Sequence, residues 1–222
     1  MDNTQRFYDL EKIIKERVPG FKIKFKDEST LMKVVGKVLF FNKSFMTSYT
    51  TTIGKTVYFP SRVKFEKNPG AYFYTLAHEY VHVMDYVAHP VRFTLGYAFP
   101  QFLAAFSLLS LLAFINPYFL LFLFALAFAA PIPAPYRTWA ELRGYGMSLL
   151  VRSWDGWASE EVANMVNRYA DAFTTSAYYF MCPFRTYVLN KLLDWLLSGE
   201  THLSDVNPAF MDVYALIKHE DL

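Results

Sequence analysis

The hydrophobic and polar positions of the first ninety or so residues switch period several times. Phe7, Leu10, Ile13, Ile14 and Val18 recur at helical spacing and predict an amphipathic helix over residues 4–17. In "GFKIKFK", Phe21, Ile23 and Phe25 alternate with lysines, the pattern of a half-exposed strand. "DESTLMKVVGKVLFFN" predicts a short helix capped near Ser29. "FMTSYTTTIGKTVYFP" is rich in Thr, Tyr, Phe and Val. It predicts a turn at Ile53-Gly54-Lys55 and a strand from Thr56 to Phe59, with Pro60 suited to a strand end or a sheet edge. A longer helix follows. Asn68 is its N-cap, Pro69 its first position, and "GAYFYTLAHEYVHVMDYVA" runs on to a stop at Pro90.

From Phe93 to Tyr136 the alternation disappears: 44 residues contain no Asp, Glu, Lys, Arg or His. Asn116-Pro117, a turn signal, divides the stretch into two apolar halves, each near the length of a bilayer-spanning helix, the second short before Pro131. A soluble core helix normally keeps one polar stripe, and these keep almost none, so a transmembrane helical hairpin is favoured over an apolar internal core. Arg92, Arg137 and Arg143 flank its open side and the turn is uncharged. The positive-inside rule then places both termini on the cytoplasmic side of a membrane.

Amphipathic patterning resumes after the prolines at 131, 133 and 135. "YRTWAELRGYGMSLLVRSW" predicts a helix that buries Trp139, Leu142, Met147, Leu149 and Leu150. Three more helices follow: one opened by Ser159-Glu160-Glu161, "FRTYVLNKLLDWLLSG" ending at Gly199, and "NPAFMDVYALIKH". The expected fold class is α+β, mainly helical, in three parts: residues 1–92 with the small sheet, the hairpin 93–136, and a helical part 137–222.

Composition adds exclusions. Twenty-two basic residues against 20 acidic ones give a net charge of +2, which carries no nucleic-acid signature. Cys182 is the single cysteine, so no disulfide forms within the chain, in keeping with a reducing compartment. The first residues, "MDNTQRFYDLEKIIKER", are charged and helical, unlike a cleavable signal peptide.

The chemistry concentrates in "LAHEYVHVMD" at 76–85, which contains H-E-x-x-H: His78, Glu79 and His82. On a helix the two histidines share one face and can hold a zinc ion. Glu79 points partly aside and can reach a water there as general base. Catalytic zinc takes three protein ligands, so a third is needed. His89 is one residue off the metzincin spacing and sits at the helix end beside Pro90. Asp85 is three after His82, placed to orient a ligand histidine rather than to bind. Glu141 stands in an apolar helix, where an uncompensated carboxylate is costly, and is the leading candidate; Asp171 in "NRYADAF" is its rival. Tyr145, four residues after Glu141, is a candidate donor to an oxyanion. Arg137, four before it, is a candidate partner for that carboxylate or for a substrate C-terminus. His202 and His219 have no partner at metal spacing.

The order helix, small sheet, edge strand, H-E-x-x-H helix over residues 1–92, followed by a later helix with Glu141, resembles the zincin metallopeptidases, and within them the gluzincins. Membrane-bound gluzincins, among them prenyl-protein proteases, also separate H-E-x-x-H from the glutamate by apolar segments. In those the glutamate is followed by Ala-Asp; here Leu142-Arg143-Gly144-Tyr145 follow it. The resemblance implies zinc on His78, His82 and Glu141, Glu79 as base, and "KTVYFP" as the edge strand beside a peptide substrate. The expected function is a zinc metallopeptidase at a membrane surface, acting on peptides or proteins, membrane proteins among them. The alternative is a membrane-inserting or virion structural protein with an inactive or secondary site.

Overall fold

The computed structural model describes residues 2–39, 44–198 and 207–218. The chain is mainly helical with one small sheet. Helix α1 (Asn3–Arg17) precedes strand β1 (Lys22–Phe25) and helix α2 (Thr30–Val38), whose Ser29 cap accepts from the Met32 amide. Strands β2 (Thr51–Ile53) and β3 (Thr56–Phe59) form a hairpin, and Gly54 at its tip has φ +61°, where a side chain would be strained. The sheet order is β1-β3-β2. β3 is parallel to β1, with Ile23 opposite Val57, and antiparallel to β2, with Thr52 opposite Val57. The strand expected at the sheet edge, "KTVYFP", is therefore the central one. Both its hydrogen-bonding edges are taken, and the edge strands are β1 and β2.

Helix α3 (Arg62–Lys67) leads to Asn68, which caps a 3-10 turn, Pro69–Tyr72, rather than the long helix itself. Helix α4 (Phe73–Ala88) follows, ending at His89, and Pro90 opens helix α5 (Pro90–Ala98). After the apolar hairpin come α6 (Pro135–Trp154), α7 (Ser159–Thr174), α8 (Arg185–Ser198) and α9 (Pro208–Lys218). Gly199, His202 and His219 lie outside the described residues.

Two large apolar clusters hold the helices around the site, and a smaller one of Met32, Phe45 and Tyr58 seats α2. One face of α4 (Phe73, Leu76, Ala77, Tyr80, Val83) packs with Phe7, Leu10 and Ile14 of α1, Val57 and Phe59 of β3, Met147, Leu150 and Val151 of α6, and Phe210, Val213 and Ile217 of α9. The other face of α6, through Leu142 and Leu149, joins Val162, Val166 and Phe173 of α7 and Val188 and Leu192 of α8. Helix α6 is thus covered on two sides, which is why twelve of its residues are buried. Trp139 is the exception among those expected inside: it is exposed, and the Arg143 guanidinium lies 4.6 Å from its ring centre.

The charge-free stretch folds into two paired 3-10 helices, Gln101–Phe114 and Pro117–Ala129, with Asn116 capping the second by accepting from the Tyr118 amide. Neither has a buried residue, and Leu111, Phe114, Tyr118 and Phe124 are more than two-thirds exposed, so the hairpin is not an internal core. Among the described residues no single helix is long and apolar enough to cross a membrane. Pro100 breaks the first half, leaving α5 and Gln101–Phe114 as a pair bent by 79° that passes the length and composition test only together. Pro131 follows the second arm. Of the flanking arginines, Arg92 is exposed. Arg143 is buried on Asp85 at 2.6 Å, and Arg137 donates to the Tyr97 carbonyl and Gln101 Oε1.

Candidate metal centre

Helix α4 puts His78 and His82 one turn apart, and α6 lies against it so that Glu141 faces both. His78 Nε2 and His82 Nε2 are 3.1 Å apart; Glu141 Oε2 is 3.4 Å from His78 Nε2, and Oε1 is 3.7 Å from His82 Nε2. These three buried residues each offer a donor atom, all within 4.8 Å of one another. Ligands about 2.0–2.1 Å from a tetrahedral ion stand roughly 3.3 Å apart, so the observed edges fit one metal ion. The carboxylate oxygen Oε2 has no hydrogen-bond partner among the described residues, although it is buried. An orphaned buried acceptor facing two ring nitrogens is the electrostatic arrangement that a cation completes.

Two of the three donors, His82 and Glu141, are held in the form that a metal takes, and a metal would have to displace a proton from His78. Burial pushes His82 down to about 4, against the pull of Glu141. Burial would raise Glu141, but His78, His82 and the Tyr97 hydroxyl together hold it down at about 2. Burial also disfavours charge on His78, yet the adjacent Glu141 carboxylate and the attraction of Glu79 raise it. Tyr97, from α5, donates to Glu141 Oε1 and so fixes the carboxylate. The His82 Nδ1 atom has no such support among the described residues.

Glu79 turns away from the donors toward the sheet. Thr52 of β2 donates to its Oε2 at 2.6 Å. Burial raises the Glu79 carboxyl, with His78 and the Thr52 bond opposing. A cleft of about 250 Å³ opens in front, lined by Thr51 and Thr52 of edge strand β2, the metal triad, Glu79, Tyr97, Arg137 and Tyr178. Fully buried Lys26 lies behind it: its ammonium donates to the Phe45 carbonyl at 2.7 Å and sits 3.9 Å from the Phe45 ring centre, on the cleft wall.

The other expected residues divide. Tyr145 packs edge-on against His78, ring centres 4.7 Å apart, and its hydroxyl meets that of Tyr178. It lies behind the cleft and Tyr178 lines it. Asp85 pairs with Arg143 and accepts from Asn207, so its oxygen is not on a ligand histidine. Asp171 is exposed and paired with Arg185 at 2.6 Å, outside the triad. Arg137 lines the cleft without touching Glu141 in any described bond.

Pattern reading missed Thr52, Tyr97, Tyr178, Lys26 and Gly144. Gly144 had a signal, a glycine inside a helix, which costs about 1 kcal/mol and so marks a close approach. A Cβ there would lie 2.7 Å from both Cε1 and Nε2 of His78, so only glycine lets the histidine ring lie against α6. Tyr178 is presented by a turn in which Tyr179 and Phe180 have φ 58° and 52°, a left-handed pair that non-glycine residues rarely adopt.

Comparison of the chain with protein-family models, curated proteins and solved structures finds no match.

Proposed function

We propose that the chain is a zinc-dependent metallopeptidase of gluzincin-like organisation, working at a membrane surface. The observation that carries the reading is the spacing of the His78, His82 and Glu141 donor atoms, close to the edges of one tetrahedron, with a buried carboxylate beside them. Zinc in place there supplies Lewis acidity, polarising a carbonyl and making a water more acidic. Glu79 is the base. Thr52 occupies its Oε2, so Oε1 receives the proton of the attacking water and passes it to the leaving amine. Its raised affinity for a proton suits both transfers. Tyr97 orients the Glu141 carboxylate. The outer edge of β2 offers backbone groups to an extended substrate, which would add as a further strand. Tyr178, whose hydroxyl meets that of Tyr145, lines the cleft and is the candidate donor to an oxyanion there.

The membrane assignment rests on the hairpin. At about 2 Å rise per residue, 3-10 arms of 14 and 13 residues reach roughly 28 and 26 Å, near the hydrocarbon thickness of about 30 Å. Their apolar side chains face outward without charge. Exposed Phe180 and Phe184 follow Tyr179, whose hydroxyl donates to Ala129 at the hairpin foot. Tyr97 and Arg137 belong both to that foot and to the cleft, so substrates at the membrane surface, including juxtamembrane loops, would reach the site; exposed Arg92 beside the hairpin favours a cytoplasmic position for it. The same exposed hairpin favours a second reading, a membrane-inserting or virion structural protein, which turnover separates from the first.

The test is metal stoichiometry and cleavage of unfolded protein substrates. The parent is expected to hold about one zinc per chain, His78→Ala with His82→Ala none, and Glu79→Gln to keep zinc while losing turnover. Full zinc in the double variant, or undiminished turnover in Glu79→Gln, overturns the reading.

A further inference from the structure

A second chamber of about 290 Å³ adjoins the metal cleft and shares Tyr49, Thr50, His78, Glu79 and Tyr178 with it. It runs along α4 and α6 to a polar end formed by Tyr72, Tyr74, Thr75, Ser148, Tyr169 and Arg152. Among the described residues of its wall, apart from Glu79 and His78 at its mouth, Arg152 is the one ionisable cation or anion, tyrosines aside. That guanidinium is held in place but not neutralised. Its carbon lies 4.3 Å from the ring centre of Tyr74 and 5.2 Å from that of Trp157, and Nη1 donates to the Ser148 carbonyl at 2.7 Å. Nε is buried and has no hydrogen-bond partner among the described residues. No carboxylate pairs with it there either: Asp155, the acid whose field it feels, is bonded to Arg6 and to the Tyr74 hydroxyl.

A partly buried, pre-oriented arginine without a counterion is a costly feature unless an anion completes it. The planar fork of a guanidinium matches a carboxylate, which can accept from two of its N–H groups. We propose that this chamber is a substrate subsite in which Arg152 selects a carboxylate next to the scissile bond, either an acidic side chain or a free C-terminus. The Glu79 carboxylate at the mouth and the arginine at the far end give the chamber a polarity that admits a side chain with its charge at the tip. The subsite rests on the peptidase reading for its role, but its affinity for a carboxylate does not require zinc.

The test therefore uses metal-free full-length protein and calorimetric titration with three peptides: acetyl-Ala-Ala-Glu-Ala-amide, acetyl-Ala-Ala-Gln-Ala-amide, and acetyl-Ala-Ala-Gln-Ala with a free carboxyl end. The parent is expected to bind at least one of the two carboxylate peptides about 10-fold or more tightly than the neutral one, the scale of a charge-assisted bond. Preference for the Glu peptide identifies a side chain, and preference for the free acid a C-terminus. Arg152→Met keeps the packed stem between Tyr74 and Trp157 and should erase the preference; Arg152→Lys should restore part of it. Equal affinities in the parent, binding of none of the three, or a preference that survives Arg152→Met in a variant with parental circular dichroism overturns the proposal. If the carboxylate preference holds while zinc stoichiometry or turnover fails, it is the peptidase reading that falls.

Discussion

Replacing Gly144 by alanine adds one methyl group to the helix that carries Glu141, and three effects compete. Alanine is the better helix former by about 1 kcal/mol, which favours the variant. The new Cβ would stand 2.7 Å from Cε1 and Nε2 and 2.9 Å from Cδ2 of His78. Carbon atoms rest at about 3.5 Å or more, so the ring must retreat by roughly 0.8 Å, and overpacking of this kind costs about 1–3 kcal/mol. The fold can absorb that difference. The metal site cannot, because ligand positions tolerate only about 0.2 Å. Gly144→Ala should then fold with little change in melting temperature but bind zinc at least about 10–100-fold more weakly, the range seen when the support of a ligand is lost. Competition for zinc with a chromophoric chelator reads the affinity, and circular dichroism the fold. Gly146→Ala is the matched control: its Cβ would lie 2.7 Å from Cγ and Cδ2 of Trp195, an equal overlap directed away from the metal. It should change stability by a similar small amount and leave zinc affinity alone. Parental zinc affinity in Gly144→Ala, or equal losses in the two variants, would refute the claim that this glycine exists to seat His78.

Glu141→Ala should strip zinc while Asp171→Ala retains it, since only the first residue faces the two histidines; reversed outcomes in metal analysis would reverse the assignment. Thr52→Val removes a donor that lowers the Glu79 carboxyl, so the acid limb of the pH profile for kcat/KM should move to higher pH; an unmoved limb would remove Thr52 from the mechanism. Burial lowers Lys26 from 10.5 to about 8, so the unfolded chain holds this proton more tightly between those values. The penalty is complete below about pH 8 and fades as pH rises toward 10.5, so the parent should gain melting temperature relative to Lys26→Met across that window; a constant gap would contradict the burial cost. Leu111→Arg with Phe124→Arg places two charges on exposed apolar positions of the hairpin, each costing about 2.5–3.5 kcal/mol at a bilayer centre, and should release the protein from membranes or make it aggregate. Recovery of the parent as a soluble monomer without detergent would end the membrane assignment.

What the sequence settled by itself were features governed by local physics. Hydrophobic period and capping residues placed α1, β1, α2, the Gly54 turn and the later helices near where they lie, because each depends on residues within one or two turns. The H-E-x-x-H spacing fixed two ring nitrogens on one helical face for the same reason. The choice of Glu141 over Asp171 followed from polarity, since a carboxylate among apolar neighbours must find a partner. The remainder was decided between elements. That β3 is central rather than an edge depends on β1 joining its far side, a pairing across more than thirty residues that no local pattern records. Arg143 reads as a flanking charge until α6 docks on α4 and brings it to Asp85, and Trp139 reads as core until the same docking turns it outward. Thr52, Tyr97, Tyr178 and Arg152 carry no motif. Their roles come from converging on a site built by α4 and α6, and only packing, which acts on distance in space rather than along the chain, could assign them.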